Sequence, residues 1–388
     1  MNLAGIGIRN VGRNKTRAAL TVFGGAVAVV AFILLRTVLW AWNVQAEFAA
    51  KDRIATRHKV SMILPMPKRY VDTIRQVPGV TQATWANWFG AKDPNRPDEF
   101  FATLAVDPPS FLEVYDEAVV KPEDKARWFQ DRRGAIVGDV LARKLGVKVG
   151  DKITLQGTIF PGDWDFNIDG IYEATRKSID RSQLIFHWSY LNESLPEARR
   201  DLVGWIVSRV DDPSKSAEIT SSIDRIFDEK DTQTTTMSER AMNNSFMAMF
   251  SAVLTALDVV SFIILLIMML ILGNTIAMGV RERTREYGVL RALGFTPRHV
   301  GMFVIGEALT IGVLTGLLGV ALSYPIVQLG MGRWLEENMG SFFPYFRVNA
   351  GTAVIAVLLS VALSVAASMI PARQASRLSI LDALRRVG

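Results

Sequence analysis

The chain has 388 residues, of which 49% are hydrophobic and 21% are charged, and its mean hydropathy is +0.21. This mixture is too apolar for an ordinary soluble protein and indicates a soluble domain joined to membrane spans. The lack of cysteine excludes disulfides, thiol catalysis and zinc–thiolate sites. The three histidines, His58, His187 and His299, lie far apart in the sequence, so we predict no metal site.

Four apolar segments are long enough to cross a bilayer as helices, which takes about 20 residues. The first, third and fourth predicted spans are residues 18–42, 298–327 and 350–371, and the fourth span is expected to stop at Pro371. Residues 246–280 are predicted to form a helical stalk that continues into the second span. The first segment is too long for the core of a cleaved signal peptide and ends in Trp40 and Trp42, which are typical of an interfacial belt. We therefore predict a retained anchor.

Charge placement predicts the orientation of these spans. Basic residues dominate the lead-in (1–17), the loop at 281–297 and the tail (372–388), whereas charges balance in the loop at 328–349. By the positive-inside rule, both termini are expected in the cytoplasm and the long insert at 43–245 on the far side. Because membrane topology accounts for where the basic residues lie, they give no reason to expect nucleic-acid binding, and we predict no nucleic-acid partner.

The insert mixes helix and strand patterns. A helix over residues 70–76 ends at Pro78-Gly79, a buried strand over 135–137 leads into a helix over 140–145, and an alternating strand covers 152–156. These patterns predict an α+β domain. The expected fold is therefore membrane α-helical, with four transmembrane helices and an α+β extracytoplasmic domain inserted between helices 1 and 2.

One aromatic stretch of the insert, WANWFGAKDPNRPDEFF, allows two interpretations. Trp85, Trp88 and Phe89 flank a proline-rich loop together with Phe100 and Phe101. They form either a small core beneath the loop or a docking surface for a partner or an apolar cargo.

The stretch RERTREYGVLRALGFTPRHV lies between the second and third spans. Its pattern predicts a helix from Val280 to Leu293, stopped by Gly294, and a new helix starting at Thr296-Pro297. From the residues alone, this helix either lies on anionic headgroups or docks into a cytoplasmic motor.

This stretch resembles the hallmark of the MacB/FtsX/LolC superfamily of ABC transporter permeases. Three further segments are similar to segments of that family: GIRNVGRNKTRAALT, GAIVGDVLARKLGVKVGDKITLQG and PARQASRLSILDALR. The resemblance covers nearly the whole chain in the expected arrangement of one plus three spans, with a MacB-like periplasmic core domain. The sequence lacks the phosphate-binding pattern G-x-x-x-x-G-K-[ST], so the ATPase, with its ATP and Mg, is expected on a partner chain, and no cofactor is expected on this one.

The resemblance implies that the short helix docks on the ATPase. The implied coupling residues are Arg281, Glu282, Arg283, Arg285, Glu286, Tyr287, Leu290, Arg291, Leu293 and Gly294. ATP-driven closure would then move this helix and the second span, and the motion would reach the outer domain.

Small and ionisable residues inside the spans are further candidates. Gly312, Gly316 and Gly319, with Ser360, Ser364 and Ser368, form stripes that suit packing within one subunit or in a dimer. Arg36 and Asp258 are expected near the outer interface. Glu307 lies deeper, where its expected partner is a backbone, Ser/Thr or Arg group in the bundle, and a proton-coupling role is also open.

The function expected from the resemblance is that of a permease subunit in the bacterial inner membrane, not an enzyme. It would export periplasmic cargo, such as a peptide, toxin or amphipathic small molecule. Expected partners are the ATPase, a second permease copy in a homodimer or heterodimer, membrane lipid, and a periplasmic membrane-fusion adaptor with an outer-membrane duct. The alternatives are lipoprotein extraction in the manner of LolC and LolE, and FtsX-like signalling to a cell-wall hydrolase.

Overall fold

The computed structural model describes residues 15–44, 49–97, 99–176, 178–248, 251–338, 343 and 345–377. The chain divides into two compact units. The inserted unit comprises Ala41–Phe250 and Trp334–Tyr345, and the helical unit comprises Met1–Trp40, Ser251–Arg333 and Phe346–Gly388.

The described elements follow in chain order. The helices are α1 (Lys15–Val44), α2 (Arg69–Arg75), α3 (Pro108–Val114), α4 (Pro122–Gln130), α5 (Asp139–Leu145), α6 (Trp188–Ser194), α7 (Ser216–Phe227), α8 (Glu239–Ala248), α9 (Ser251–Glu282), α10 (Thr284–Ala292), α11 (Pro297–Tyr324), α12 (Gly332–Asn338) and α13 (Ala350–Ser376). The strands are β1 (Arg53–His58), β2 (Met66–Pro67), β3 (Val80–Trp88), β4 (Ala91–Lys92), β5 (Ala102–Val106), β6 (Ala118–Val119), β7 (Gly134–Gly138), β8 (Lys152–Gly157), β9 (Gly162–Ala174), β10 (Gln183–His187), β11 (Leu202–Val203), β12 (Trp205–Val210) and β13 (Thr234–Ser238).

The inserted unit is built on one mixed sheet of eleven strands. Its order is β13-β1-β12-β3-β5-β10-β7-β9-β8-β4, with β6 paired to β9. The pairs β5–β10 and β7–β9 are parallel, and the other pairs are antiparallel. A separate two-stranded sheet joins β2 and β11.

Both faces of the sheet are covered. Strands β7 and β10 are buried along their whole length, which explains why both have apolar residues at successive central positions, Ala135–Val137 in β7 and Leu184–Phe186 in β10. One core contains Phe89, Phe166 and Phe186, and a second contains Trp128 and Tyr172. The α+β domain predicted between the first two spans is confirmed.

Among the residues that the structure describes, four helices, most of whose residues belong to the helical unit, are long and apolar enough to cross a membrane. They are Lys15–Trp42, Ser251–Glu282, Pro297–Glu336 and Ala350–Ser376. Within this unit α11 packs along α13, and α9 also contacts α13. The predicted membrane-helical fold class is confirmed.

The third span continues further than predicted. After α11 the chain makes a π-helical turn over Pro325–Met331 and then forms α12. Proline has no N–H to donate, and a widened turn accommodates it without ending the helix. The predicted loop at 328–349 is therefore helical as far as Asn338.

The fourth span also passes its predicted end. Pro371 lies inside α13, which continues to Ser376, so the stop predicted at Pro371 is wrong. Ala372 and Ala375 pack in an apolar cluster with Val300 and Val304, and this packing offsets the hydrogen bond that proline cannot make. The lead-in before residue 15 and the tail after residue 377 lie outside the described residues, so the orientation predicted from their charges stays a prediction.

Candidate coupling helix and ligand cavity

The short helix α10 has well-defined ends. The predicted start at Val280 is wrong, because α9 continues to Glu282 and the break falls at Arg283. Gly294 has a φ of +95° and ends the helix as predicted. The Phe295 N–H donates to the Leu290 carbonyl at 3.1 Å and the Gly294 N–H to the Arg291 carbonyl at 3.1 Å. This pair of bonds is a Schellman motif, in which glycine adopts the left-handed conformation without strain.

The next helix begins where the sequence predicts. Thr296 is the N-cap of α11 and Pro297 occupies its first turn. Thr296 and His299 form a reciprocal capping box, in which the Thr296 N–H donates to His299 Nδ1 at 3.3 Å. The turn between α10 and α11 is therefore held by local bonds on both sides.

One side of α10 packs into the helical unit. Tyr287 is 4% exposed and lies in a cluster with Ile276, Val280 and Val300, and Leu290 packs at the edge of that cluster. Burial, with the nearby Glu307 carboxylate, raises the pKa of Tyr287 to about 12. Tyr287 therefore anchors α10 to its own chain.

Two of the predicted coupling charges are paired within the chain. The Arg17 guanidinium donates two bonds to the Glu282 carboxylate at 2.5 and 2.6 Å, and Arg283 Nη1 donates to Glu307 Oε2 at 2.7 Å. Arg291 reaches the Ser376 carbonyl at 3.4 Å. These contacts join α10 and its flanks to α1, α11 and α13.

The other side of α10 is exposed. Arg281, Arg285 and Glu286 are exposed, and Leu293 is 72% and Val289 44% exposed. Arg285, Val289 and Leu293 recur every four residues and form one stripe, which we call the α10 stripe. Val289 is not among the coupling residues predicted from the sequence, although its spacing of four residues from Arg285 and from Leu293 is a signal in the sequence. A docking role for these residues stays a prediction.

The small residues of the spans meet each other inside the chain. A Cβ on Gly312 would lie 2.9 Å from Val361 Cα, and one on Gly316 would lie 2.4 Å from Ser360 Oγ, while Gly319 faces Val29 of α1. Ser360 Oγ donates to the Gly312 carbonyl at 2.7 Å. Ser364 Oγ donates to the Ala308 carbonyl at 2.5 Å, and Ser368 bonds to its own helix. These stripes pack helices of one chain together.

The ionisable residues of the spans are paired as well. Arg36 Nη1 lies 2.9 Å from Asp258 Oδ1, which joins α1 to α9, and both side chains are about half exposed. Glu307 has the Arg283 partner described above. An arginine in the bundle was one of the partners expected for Glu307.

The aromatic stretch of the inserted unit divides between core and surface. Phe89 is fully buried and Trp85 is 5% exposed, and both belong to the core of the inserted unit. Burial contradicts the docking role predicted for Phe89, whereas Trp85 also lines the cavity described next, so its docking role stays a prediction. Trp88 and Phe100 are 37% and 52% exposed. Alternation along β3 places Trp88 on the opposite face from Trp85 and Phe89.

Trp88 and Phe100 line a cavity of about 900 Å³ within the inserted unit. Its walls are mainly apolar and aromatic, and a charged residue, Glu239, also lines it. A buried ionic cluster includes this residue: Arg53 Nε donates to Glu239 at 2.9 Å, and Arg53 Nη1 donates to Glu117 at 2.9 Å. Burial raises the pKa of the Glu239 carboxyl above its usual range.

Two family models match the chain. Residues 18–226 match the MacB-like periplasmic core domain, and residues 259–380 match the FtsX-like permease C-terminal region. The uncharacterized ABC transporter permease MJ1507 of Methanocaldococcus jannaschii is 25% identical over 403 residues, covering 97% of this chain and 96% of that protein.

Other relatives match over shorter lengths. The ABC transporter permease YtrF of Bacillus subtilis is 31% identical over 121 residues, which cover 29% of this chain and 28% of YtrF. The macrolide export ATP-binding/permease protein MacB of Burkholderia thailandensis is 34% identical over 113 residues, covering 29% of this chain and 16% of MacB. The periplasmic region of MacB from Actinobacillus actinomycetemcomitans superposes with a TM-score of 0.38 at 9% identity, covering 52% of this chain and 95% of that structure.

Proposed function

This chain belongs to the ABC transporter permeases that combine a MacB-like periplasmic core domain with an FtsX-like C-terminal region, and we propose that it transmits motion from a separate ATPase chain to its inserted unit and so exports cargo. The observation that carries the proposal is the α10 stripe. It presents a cation and two apolar side chains on a helix whose other side is buried.

The contacts of α10 support its role as a transmitting element. Tyr287 packs against α9 and α11, and Arg283 pairs with Glu307 of α11. The Schellman motif fixes the exit of α10. A displacement of the α10 stripe would therefore move α9 and α11 together with α10, and would not be absorbed by deformation of the connections between these helices.

The helices on either side of the inserted unit in the sequence are tied together. Helix α9 is 32 residues long, roughly 48 Å at 1.5 Å per residue. The pair Arg17–Glu282 joins α1 to one end of α9, and Arg36–Asp258 joins them near the other. Motion applied at α10 would reach both peptide connections to the inserted unit at once.

The proposal places both termini and α10 in the cytoplasm and the inserted unit in the periplasm of a bacterial inner membrane. ATP and Mg would bind the partner ATPase. A second permease copy and a periplasmic adaptor with an outer-membrane duct would complete a tripartite system. The cargo would be a peptide, a toxin or an amphipathic small molecule, and the apolar cavity of the inserted unit favours a cargo with an apolar body.

The first test is gentle purification of the tagged chain from its native membrane, followed by mass spectrometry of the proteins that accompany it. We expect an ABC ATPase and a periplasmic adaptor. An ATPase accompanied by lipoproteins or by a cell-wall hydrolase would replace export with lipoprotein extraction or signalling. Purification without any ATPase, under conditions that preserve such complexes, would overturn the proposal.

A further inference from the structure

The cavity of the inserted unit has the size of a small-molecule site. Its volume of about 900 Å³ lies within the range of roughly 300–1,000 Å³ that is usual for ligand pockets. Its lining includes Thr84 and Ala86 as well as Trp85 and Asn87, which alternate between the two faces of β3, and β12 begins at Trp205, opposite Ala86. Three of its lining residues, Trp88, Phe100 and Ile159, are exposed apolar side chains.

One half of the cavity lies against the face of β3 that carries Thr84 and Ala86. Phe111 of α3 and Trp205 of β12 contribute to its walls. Helix α8 lines the cavity with one of its sides. The residues on that side recur at helical spacing and are Glu239, Met242, Asn243 and Phe246. We call this part the α8 half.

The charge of the α8 half is negative. The buried cluster contains one guanidinium, Arg53, between the carboxylates of Glu117 and Glu239, with side chains 0%, 0% and 11% exposed. Glu239 Oε2 accepts both the Ala50 N–H and Arg53 Nε at 2.9 Å, and Glu239 lines the cavity. Asp180 also lines the cavity. Arg199, which follows α6 in the chain, is a cation among the lining residues.

We propose that the α8 half binds an amphipathic ligand whose cationic group pairs with Glu239 while its apolar body packs against Phe111, Trp205 and Met242. Three features support this choice of ligand. The walls are mainly apolar, two of the exposed lining residues are aromatic, and the buried cluster holds one more carboxylate than cation. A buried carboxylate in such a pocket is stabilised by an opposite charge, which a bound cation supplies.

Glu239 lies close in the sequence to the spans on either side of the inserted unit. It is the first residue of α8, and only residues 249 and 250 separate α8 from α9 in the sequence. The same carboxylate holds the Ala50 amide, which follows α1 in the chain. A displacement of either peptide connection would therefore move the wall that carries Glu239. The ligand is cargo only if the proposed function is correct, and the inference rests on it to that extent. Binding of the ligand itself needs no ATPase.

The test uses the full chain in lipid nanodiscs and three probes with the same eight-carbon body: octylammonium, octanol and octanoate. Affinity is measured by the change in tryptophan fluorescence, with empty nanodiscs as the control for partition into lipid. We expect octylammonium to bind about tenfold more tightly than octanoate, the size of one charge-assisted contact. Glu239→Gln should abolish this preference while leaving the affinity for octanol unchanged. Octanoate binding as tightly as octylammonium to the parent chain would overturn the proposal.

A matched pair of variants locates the site. Asn243→Trp fills the cavity from α8, whereas Asn244→Trp places the same side chain at the adjacent, exposed position. We expect Asn243→Trp to lose about tenfold or more in affinity for all three probes and Asn244→Trp to bind as the parent does. Should Asn243→Trp fail to fold, Val207→Phe fills the cavity from β12. Unchanged affinity in a folded filling variant would overturn the proposal.

Probe binding and ATPase co-purification distinguish failure of the cavity site from failure of the proposed function. Loss of probe binding in a chain that still co-purifies with its ATPase contradicts only the cavity site. Intact, cation-selective binding in a chain that never retains an ATPase contradicts only the proposed function.

Discussion

Arg283 and Glu307 form an ion pair between the break that precedes α10 and the interior of α11. Their Nη1 and Oε2 atoms are 2.7 Å apart, and the side chains are 14% and 20% exposed. The pair satisfies a carboxylate in a predicted membrane span and holds the start of α10 against α11. Arg283 is therefore an ionic partner of Glu307 within the chain.

Removing both partners of this pair should destabilise the protein by less than the sum of the two single removals. Arg283→Gln or Glu307→Gln alone leaves a poorly solvated charge, so each should cost on the order of 1–3 kcal/mol, and the double variant less than their sum. Thermal unfolding of the purified protein measures this. Arg36→Gln is the control, because its pair with Asp258 is about half exposed and should matter little. Additive losses would show that the two side chains do not interact.

Substitutions in the α10 stripe should weaken ATPase binding without changing the stability of the protein. Arg285→Glu with Leu293→Asp changes only exposed side chains, so we expect loss of ATPase co-purification with an unchanged Tm. The matched control is Arg333→Glu, an exposed arginine beyond the other end of α11. Retention of the ATPase by the double variant would contradict docking through this stripe.

The close approach of α11 and α13 predicts different effects for two glycines of one helix. A Cβ at position 312 would meet Val361 Cα at 2.9 Å and the Ser360 carbonyl at 3.0 Å, whereas nothing lies within 4 Å of a Cβ at position 306. Gly312→Ala should cost about 1–3 kcal/mol through overpacking. Gly306→Ala should be neutral or stabilise by up to about 1 kcal/mol through helix propensity. The difference in Tm between the two variants is the measurement, and equal Tm values would contradict the packing.

Asp169 should make the inserted unit less stable as the pH rises. Burial, together with the Asp131 carboxylate, raises the pKa of Asp169 from 3.8 to about 6. Between these values the folded state holds a proton that the unfolded chain has released, so stability falls as the pH increases through this window. Asp169→Asn should therefore raise Tm more at pH 7 than at pH 4. Asp163→Asn, at an exposed position of the same strand, is the control. An equal shift at both pH values would contradict the raised pKa.

Much of the coupling region could be predicted from the sequence because its signals are local. Gly294 ends α10 and Thr296-Pro297 begins α11, as predicted, since both depend on the conformation of a few neighbouring residues. The start of α10 was misplaced because Val280 and the residues after it fit a continuing helix equally well. The sequence could not predict which residues of the aromatic stretch are buried and which are exposed, because tryptophan and phenylalanine occur both in cores and on docking surfaces.

The sequence by itself determined the four spans, the inserted α+β domain and the family, since long apolar runs, strand alternation and motifs are properties of neighbouring residues. Only the tertiary structure decided that Tyr287 is buried and that Leu293 is exposed. It also decided that Arg283 faces Glu307, that Gly312 faces α13, and that Pro371 continues a helix. Periodicity gives each helix an apolar face, but which neighbour covers that face depends on packing between segments far apart in the chain.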